Sequence, residues 1–385
     1  MEVKDVAELL NTVRQEVLGE SVVVTEDLSN VAQLGTEIKN AKLESEFLKG
    51  IVDKVSYTKF VSRRYESRYP TLMMSNWEYG SVLEKIDSDM PIVRENEAWQ
   101  LTDGASYDQQ VYHAPNNVTA KYYNGIVTFV IEESITLYQF NSSFQSGAKM
   151  LAFLSMLETK IDNALTIAVD NLASRTVNNM IAIVAHQADE VGTATGRTSI
   201  TYRNALYEYN QEHGTELTVN QFLNSADALR WFASEYLKNA DHMGTMSTLF
   251  NAEGKERFTP SNLLQSFLLS EVSDKIDTVA RATTFHDEFI KLPKHQLVDY
   301  WQGSGDNFKF ENTSKIMVKT SKNDTVSLSG IIGVQFDFEA CGLTKYERRV
   351  NTVPNYVGDF VTSIYKQDAG YMIDLSENCV VWYLA

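Results

Sequence analysis

The sequence has only two cysteines, six prolines and six histidines among its 385 residues. Cys341 and Cys379 cannot build a disulfide framework or a structural zinc site, and such sparse thiol use points to a reducing compartment. With so few prolines and only 19 glycines, a collagen-like or proline-rich linker chain is excluded. No run of about 18 apolar residues occurs, so no helical membrane span is expected. The opening stretch MEVKDVAELLNTVRQEVLGE is charged throughout and lacks the apolar core of a signal peptide. The chain is therefore expected to be made and kept in the cytoplasm. Positive charge is also scarce. Lys and Arg number 34 against 51 Asp and Glu, a net charge of −17, and so acidic a surface repels phosphate and argues against sequence-specific DNA reading.

Catalytic signatures are missing as well. No His-Glu-x-x-His pair joins His113, His186, His213, His242, His286 and His295. There is no Gly-x-Ser-x-Gly elbow, and neither cysteine has a histidine near it in sequence. Gly192-Thr-Ala-Thr-Gly196-Arg197-Thr198 is one residue short of a phosphate-binding loop, has Arg in place of the Lys, and follows a predicted helix; it reads as a surface loop. Glu84, Asp87 and Asp89 lack the Gly and distal Glu of a calcium loop and read as a solvated acidic loop. The expectation is no catalytic, cofactor or metal site.

What is present is ordinary globular composition, 43% hydrophobic and 22% charged, which supports a folded core. Residues 2–18 carry Val6, Leu9, Leu10, Val13 and Val17 on one helical stripe. That helix either packs on its own domain or docks on a neighbour. Residues 20–50 read as polar and irregular, with a helix near 38–48. Val55–Val61 alternates at period two and predicts a strand. Val118–Tyr123 and Ile126–Ile131 flank Asn124-Gly125, which predicts a two-residue hairpin turn. The long stretch 70–115 has weak periodicity; inside a compact domain that is unusual, so it is expected to project outward and meet other subunits. Its Trp77, Tyr79, Trp99 and Tyr107 are too large to leave bare.

The strongest element is residues 145–187. No Gly or Pro falls between Ala148 and Val191, and Met150, Leu154, Leu157, Ile161, Leu165, Leu172, Met180 and Val184 recur near a 3.6 period. Arg175, Thr176, Asn178 and Asn179 interrupt the stripe, which favours a long helix on a sheet over a coiled coil. A polar connection is predicted over 192–218, a helix over Val219–Asn239 and a short helix over Ser261–Leu269. Strands are predicted at Lys315–Thr320, Gly333–Phe338, Val361–Tyr365, Gly370–Leu375 and Val380–Leu384. Charge is segregated along the extension. Lys54, Lys59, Arg63, Arg64 and Arg68 precede Glu84, Asp87, Asp89, Glu95, Glu97, Asp103 and Asp108. Either these are two independent solvated faces, or one subunit's acidic loop meets its neighbour's basic strip. On the second reading Arg63, Arg64, Arg68, Trp77, Glu84, Asp87, Glu95, Glu97 and Trp99 are candidate inter-subunit contacts.

An arm, a long β extension, a very long helix, a second helix and a β-rich end form an order that resembles tailed-bacteriophage major capsid proteins. Their α+β architecture is the Hong Kong 97-type capsid fold. Lys121-Tyr-Tyr-Asn-Gly-Ile-Val-Thr-Phe-Val-Ile-Glu-Glu-Ser-Ile-Thr136, then Phe144-Gln-Ser-Gly147 and Asn178-Asn179-Met180, is similar to the extension-to-helix transition in capsid proteins of small podovirus-like phages. The resemblance implies an N-terminal arm (1–50) and an extended loop with its β stem (51–134). A spine helix and peripheral domain (135–254), an axial domain (255–355) and C-terminal strands returning to the peripheral domain (356–385) follow. It implies a non-enzymatic shell subunit, without cofactor, forming pentamers and hexamers around double-stranded DNA that it does not read. The implied partners are a separate scaffolding protein and a portal, and no membrane; the location is the virion, after assembly in host cytoplasm. Some relatives cross-link a Lys of the extended loop to a neighbour's Asn; Lys85 lies in that region, but no motif matches and the chemistry is not carried over. The rival readings are an encapsulin-like nanocompartment shell and a cytoplasmic α+β enzyme.

Overall fold

The computed structural model describes residues 3–19, 22–55, 66–74, 83–88, 90, 118–190, 199–281, 292–302, 309–319 and 325–385. The first part of the chain forms α1 (Val3–Val17), α2 (Val31–Ala41), α3 (Glu44–Val55), β1 (Leu83–Ser88), β2 (Val118–Tyr123) and β3 (Gly125–Thr136). Next come α4 (Leu137–Ser143), α5 (Gly147–Glu190), β4 (Tyr202–Asn204), α6 (Ala205–His213), α7 (Val219–Phe222) and α8 (Ala226–Met243). Then follow β5 (Leu264–Leu269), α9 (Ser270–Lys275), β6 (Gln296–Val298), α10 (Phe310–Thr313), β7 (Ile316–Lys319) and β8 (Thr325–Leu328). The last strands are β9 (Ile331–Asp337), β10 (Cys341–Asn355), β11 (Phe360–Ile373) and β12 (Cys379–Tyr383). The chain divides into two compact units, each made of interleaved segments.

Unit one takes residues 1–76, 126–173 and 343–370. The apolar stripe of α1 is buried at Val6, Leu9, Leu10 and Val13, so this helix packs within its own unit. Residues 20–50, read as largely irregular, hold α2 and most of α3, whose Leu34, Ile38, Phe47 and Leu48 enter the same core. A Thr136–Gln139 capping box starts α4. That helix delivers Phe140 against Phe144, Phe47 and Phe153, with ring centroids 5.0, 6.3 and 6.4 Å away. Strands β10, β11 and β3 form a three-stranded sheet in that order.

Helix α5 is the long helix that the apolar stripe predicts. It runs 44 residues, about 66 Å at 1.5 Å per residue. Its first part buries Met150, Leu154, Leu157, Ile161 and Leu165 in unit one. Each leucine leaves a cavity if shortened, so Leu157→Ala or Leu165→Ala is expected to cost about 2–5 kcal/mol in urea unfolding of the subunit. A loss below about 1 kcal/mol in both would show that this stripe is not core.

Unit two takes residues 77–125, 174–342 and 371–385. Its five-stranded sheet has the order β4-β12-β9-β5-β6. β9 is buried along its whole length and runs antiparallel to both β12 and β5. Helix α8 packs on this sheet: Tyr236 Oη donates to Phe267 O at 3.2 Å. The buried Gln335 is satisfied by its neighbours. Its Oε1 accepts from Asn239 Nδ2 at 2.7 Å and from Trp382 Nε1 at 3.1 Å, and its Nε2 donates to Tyr236 O at 2.9 Å. Asn178, one of the polar residues that interrupt the α5 stripe, serves here: its Nδ2 donates to Trp301 O at 2.8 Å.

The strands predicted over 315–320, 333–338 and 380–384 match β7, β9 and β12. Several expectations are overturned. The Asn124-Gly125 hairpin does not form, because β2 pairs with β1 whereas β3 joins the β10–β11 sheet. Gly125 has another reason to be glycine: a Cβ there would lie 2.9 Å from both the backbone oxygen and the ring of Tyr371. The helix predicted over 219–239 is two helices, because Ser225 caps a new one by accepting from Ala228 N. The 192–218 connection contains β4 and α6. The helix predicted over 261–269 is β5, a strand flanked by β9 and β6; periodicity alone cannot separate a short buried strand from a helix. The two strands predicted at 361–365 and 370–375 are one strand, β11. Its partner β10 went unread, its outer part alternating half-buried and exposed residues in charged text. Of the strand predicted at 55–61, Val55 ends α3 and the rest lies outside the described residues.

Candidate inter-subunit surface

β1 reads Leu-Glu-Lys-Ile-Asp-Ser and β2 reads Val-Thr-Ala-Lys-Tyr-Tyr. They pair antiparallel, with Leu83 opposite Tyr123, Lys85 opposite Lys121 and Asp87 opposite Thr119. Strand alternation puts these three pairs on one face, which is the less exposed face of the ribbon. The other face carries Glu84–Tyr122, Ile86–Ala120 and Ser88–Val118. Ile86, Val118 and Tyr122 are each more than half exposed, and Tyr122 Oη donates to Glu84 Oε1 at 3.0 Å.

The inner face meets charges from three other stretches of unit two. Lys85 Nζ lies 2.9 Å from Asp374 Oδ2, 2.7 Å from Glu377 Oε1 and 3.1 Å from Glu339 Oε2. Lys121 Nζ reaches Asp374 Oδ1 at 3.0 Å and Glu253 Oε1 at 2.7 Å. Asp87 Oδ2 meets Lys255 Nζ and Arg257 Nη2, each at 2.5 Å. Local turns aim these groups. Asp374 Oδ1 accepts from Ser376 N at 3.0 Å and from Ser376 Oγ at 2.7 Å, an Asx-type turn just after β11. Asn251 clasps the Lys255 backbone at both ends, at 2.8 and 2.6 Å.

These contacts set the titration of the cluster. Burial pulls the Asp374 carboxyl up, but Lys85, Ser376 and Lys121 outweigh it and hold the group far below the usual carboxylate range. Burial likewise raises Asp87, and Lys255 with Arg257 reverse the sign. Burial lowers Lys85, and Glu377 with Asp374 lift it well above an ordinary lysine. Depressed carboxylates contribute fully above the unfolded carboxylate pKa, and that contribution is lost as pH falls through their native values. The raised lysine contributes fully below its unfolded pKa, and loses that contribution only as pH rises through its native value. From about pH 5 to about pH 9 Asp374, Asp87 and Lys85 therefore keep their charges.

Arg63, Arg64, Trp77, Glu95, Glu97 and Trp99 lie outside the described residues, as do Tyr79 and Tyr107. Arg68 has an exposed side chain, and its backbone N–H donates to Asp170 Oδ2 at 3.0 Å. Glu84 is exposed on the outer face, while Asp87 is engaged inside its own chain by Lys255 and Arg257. Cys341 and Cys379 are free and buried; burial pushes both thiols up, Cys341 to about 12. Among the described residues no group of three or more His, Cys, Asp or Glu is placed to hold a metal ion, and no helix is long and apolar enough to cross a membrane.

Solved structures share the fold at low sequence identity. A chain from the capsid of Staphylococcus phage Andhra aligns with a TM-score of 0.51 at 10% identity, covering 85% of this chain and 87% of that one. A chain from the structure of the head fiber and inner core protein gp22 of native bacteriophage P68 aligns with a TM-score of 0.50 at 12% identity, covering 85% and 86%. The architecture is the Hong Kong 97-type fold of tailed-phage capsids. The family model described as Phi29-like phage major capsid protein matches residues 10–383, and the chain belongs to that family. It is a structural subunit of the icosahedral phage shell, which leaves the encapsulin and enzyme readings without support. No curated protein matches the chain.

Proposed function

We propose that the subunit closes its shell as pentamers and hexamers, with a scaffolding protein and a portal, in host cytoplasm, and that the finished virion shell encloses double-stranded DNA without reading it. The net charge of −17 supports enclosure without a grip on phosphate. The functional division is the one that the resemblance implies: arm 1–50, extended loop 51–134, spine and peripheral domain 135–254, axial domain 255–355, returning strands 356–385. The observation that supports the subunit contact is the outer face of the ribbon, where Ile86, Val118 and Tyr122 are each more than half exposed. A neighbouring copy is the partner that such a face suits.

Arg63, Arg64 and Arg68 are the basic side of this contact, with Glu84, Glu95 and Glu97 facing them from a neighbour. Asp87 is the weaker candidate, because two cations of its own chain already hold it. Exposed pairs contribute only about 0–1 kcal/mol each, but they recur at every contact of a closed shell. Reversing both Arg63 and Arg64 to Glu is expected to leave circular dichroism unchanged and to cut particle yield in sedimentation and microscopy, most strongly at low salt. Normal shells from the folded double variant would remove these arginines from the interface.

A further inference from the structure

The β1–β2 ribbon is built the reverse of an ordinary half-buried ribbon. Its inner face carries Lys85, Lys121 and Asp87, and its outer face Ile86, Val118 and Tyr122. An apolar inner face would be held by the area it removes from water and could not leave without exposing that area again. A charged inner face behaves differently. Its pairs gain Coulomb energy and lose hydration in comparable amounts, so separating them into water is inexpensive. Salt screens such pairs little while they are docked, but it favours the separated charges and weakens the attraction that draws an opened ribbon back. Only Leu83 and Tyr123, at one end of the ribbon, add partly buried apolar surface on that side.

The charges are matched in sign: the ribbon's lysines meet acids of the body, and its aspartate meets Lys255 and Arg257. Lys85 and Lys121 stand directly opposite each other in the ladder, an arrangement that repels. Asp374 relieves that repulsion, with one carboxylate oxygen 2.9 Å from the first amine and the other 3.0 Å from the second.

We propose that this ribbon is an ionic latch, a salt-releasable attachment of the extension to its own body, with Asp374 holding both lysines. The inference does not rest on the neighbour contact proposed above. A two-stranded ribbon alone is marginal in water, so release also loosens the β1–β2 ladder. The subunit thus has a docked β1–β2 ribbon at low salt and a free one at high salt, with the five-stranded sheet unchanged in both.

The test uses the full chain as unassembled subunits, confirmed by sedimentation. It follows lysine acylation at about pH 8 by peptide mass spectrometry, with hydrogen exchange of β9 and β12 as the folding control. The Lys85 side chain is 17% exposed and the Lys4 side chain 72%. At low salt Lys85 is expected to react at least about tenfold more slowly than Lys4. In about 1 M NaCl, where the screening length falls to about 3 Å, it is expected to approach the Lys4 rate while β9 and β12 stay protected. Asp374→Asn is expected to expose Lys85 already at low salt. Because Asp374 also orders the turn through Ser376, Asp87→Asn on the ribbon is the second variant, and it is expected to lower the salt concentration of release. Continued protection of Lys85 in about 1 M salt overturns the latch. So does a rise in reactivity that comes only together with lost protection of β9 and β12.

Discussion

Trp382→Ala is expected to lower subunit stability by about 3–5 kcal/mol in urea unfolding. Trp382 is fully buried in β12, with Phe232 edge-on at 5.7 Å and Tyr236 at 5.9 Å. The Arg203 guanidinium lies 4.2 Å from the ring centroid and is shared with Glu208 and Glu235. Truncation opens a cavity among these rings, removes the face on which the cation rests, and takes one donor from the Gln335 oxygen. Against a total of about 5–15 kcal/mol, that loss removes a large share of the subunit's stability. Trp382→Phe keeps much of the volume and is expected to lose less than half as much. A cost below about 1 kcal/mol for the alanine variant would mean that β12 is not the centre of this core.

Gly330→Ala is expected to be comparably damaging for a different reason. Gly330 has φ +76°, and a Cβ there would lie 2.0 Å from the Leu384 carbonyl oxygen. The same residue accepts the Leu384 N–H at 2.8 Å, so backbone holds both sides and nothing flexible can yield. The left-handed conformation alone costs about 1 kcal/mol. The displaced strand end brings the expected total to about 3 kcal/mol or more. Gly214 supplies the comparison: its φ is +63°, with nothing within 4 Å of an added Cβ. Gly214→Ala is expected to cost about 1 kcal/mol. Equal unfolding midpoints for the two variants would refute the close-approach argument.

The elements legible in the sequence were those whose signal is local. Helix α5 has a long stretch free of Gly and Pro and a repeating stripe; β9 and β12 are short apolar runs between turn residues. What depends on distant partners was not legible. β5 is buried at each of its last four residues, Ser266 included, and only its neighbours β9 and β6 make it a strand. The Asn124-Gly125 turn chemistry was sound, but β2 and β3 each had a better partner elsewhere. In the candidate surface, the segregation of charge along the extension was visible, while the ion pairs that Lys85, Asp87 and Lys121 make within the chain were not. Lys85 and Glu377 are 292 residues apart, and nothing near Lys85 announces Asp374. The one local trace is Asp374-Leu-Ser376, an Asx-turn pattern that fixes a carboxylate without saying which cation it faces.

The interleaving of the two units has a consequence for how the chain matures on the ribosome. Unit one joins residues 1–76 to 343–370, and unit two joins 77–125 to 371–385. Neither can close until translation has passed residue 343. At about 5–20 residues per second, the closing segment 343–370 follows α1 to α3 by roughly 15–60 s, and β12 follows β9 by roughly 2–8 s. Non-local closure of this kind is slow, and it exposes apolar surface while it waits. It also imposes an order on events: a nascent chain that lacks residues 343–385 cannot present a finished surface to a growing shell, so the emergence of these strands comes before polymerisation.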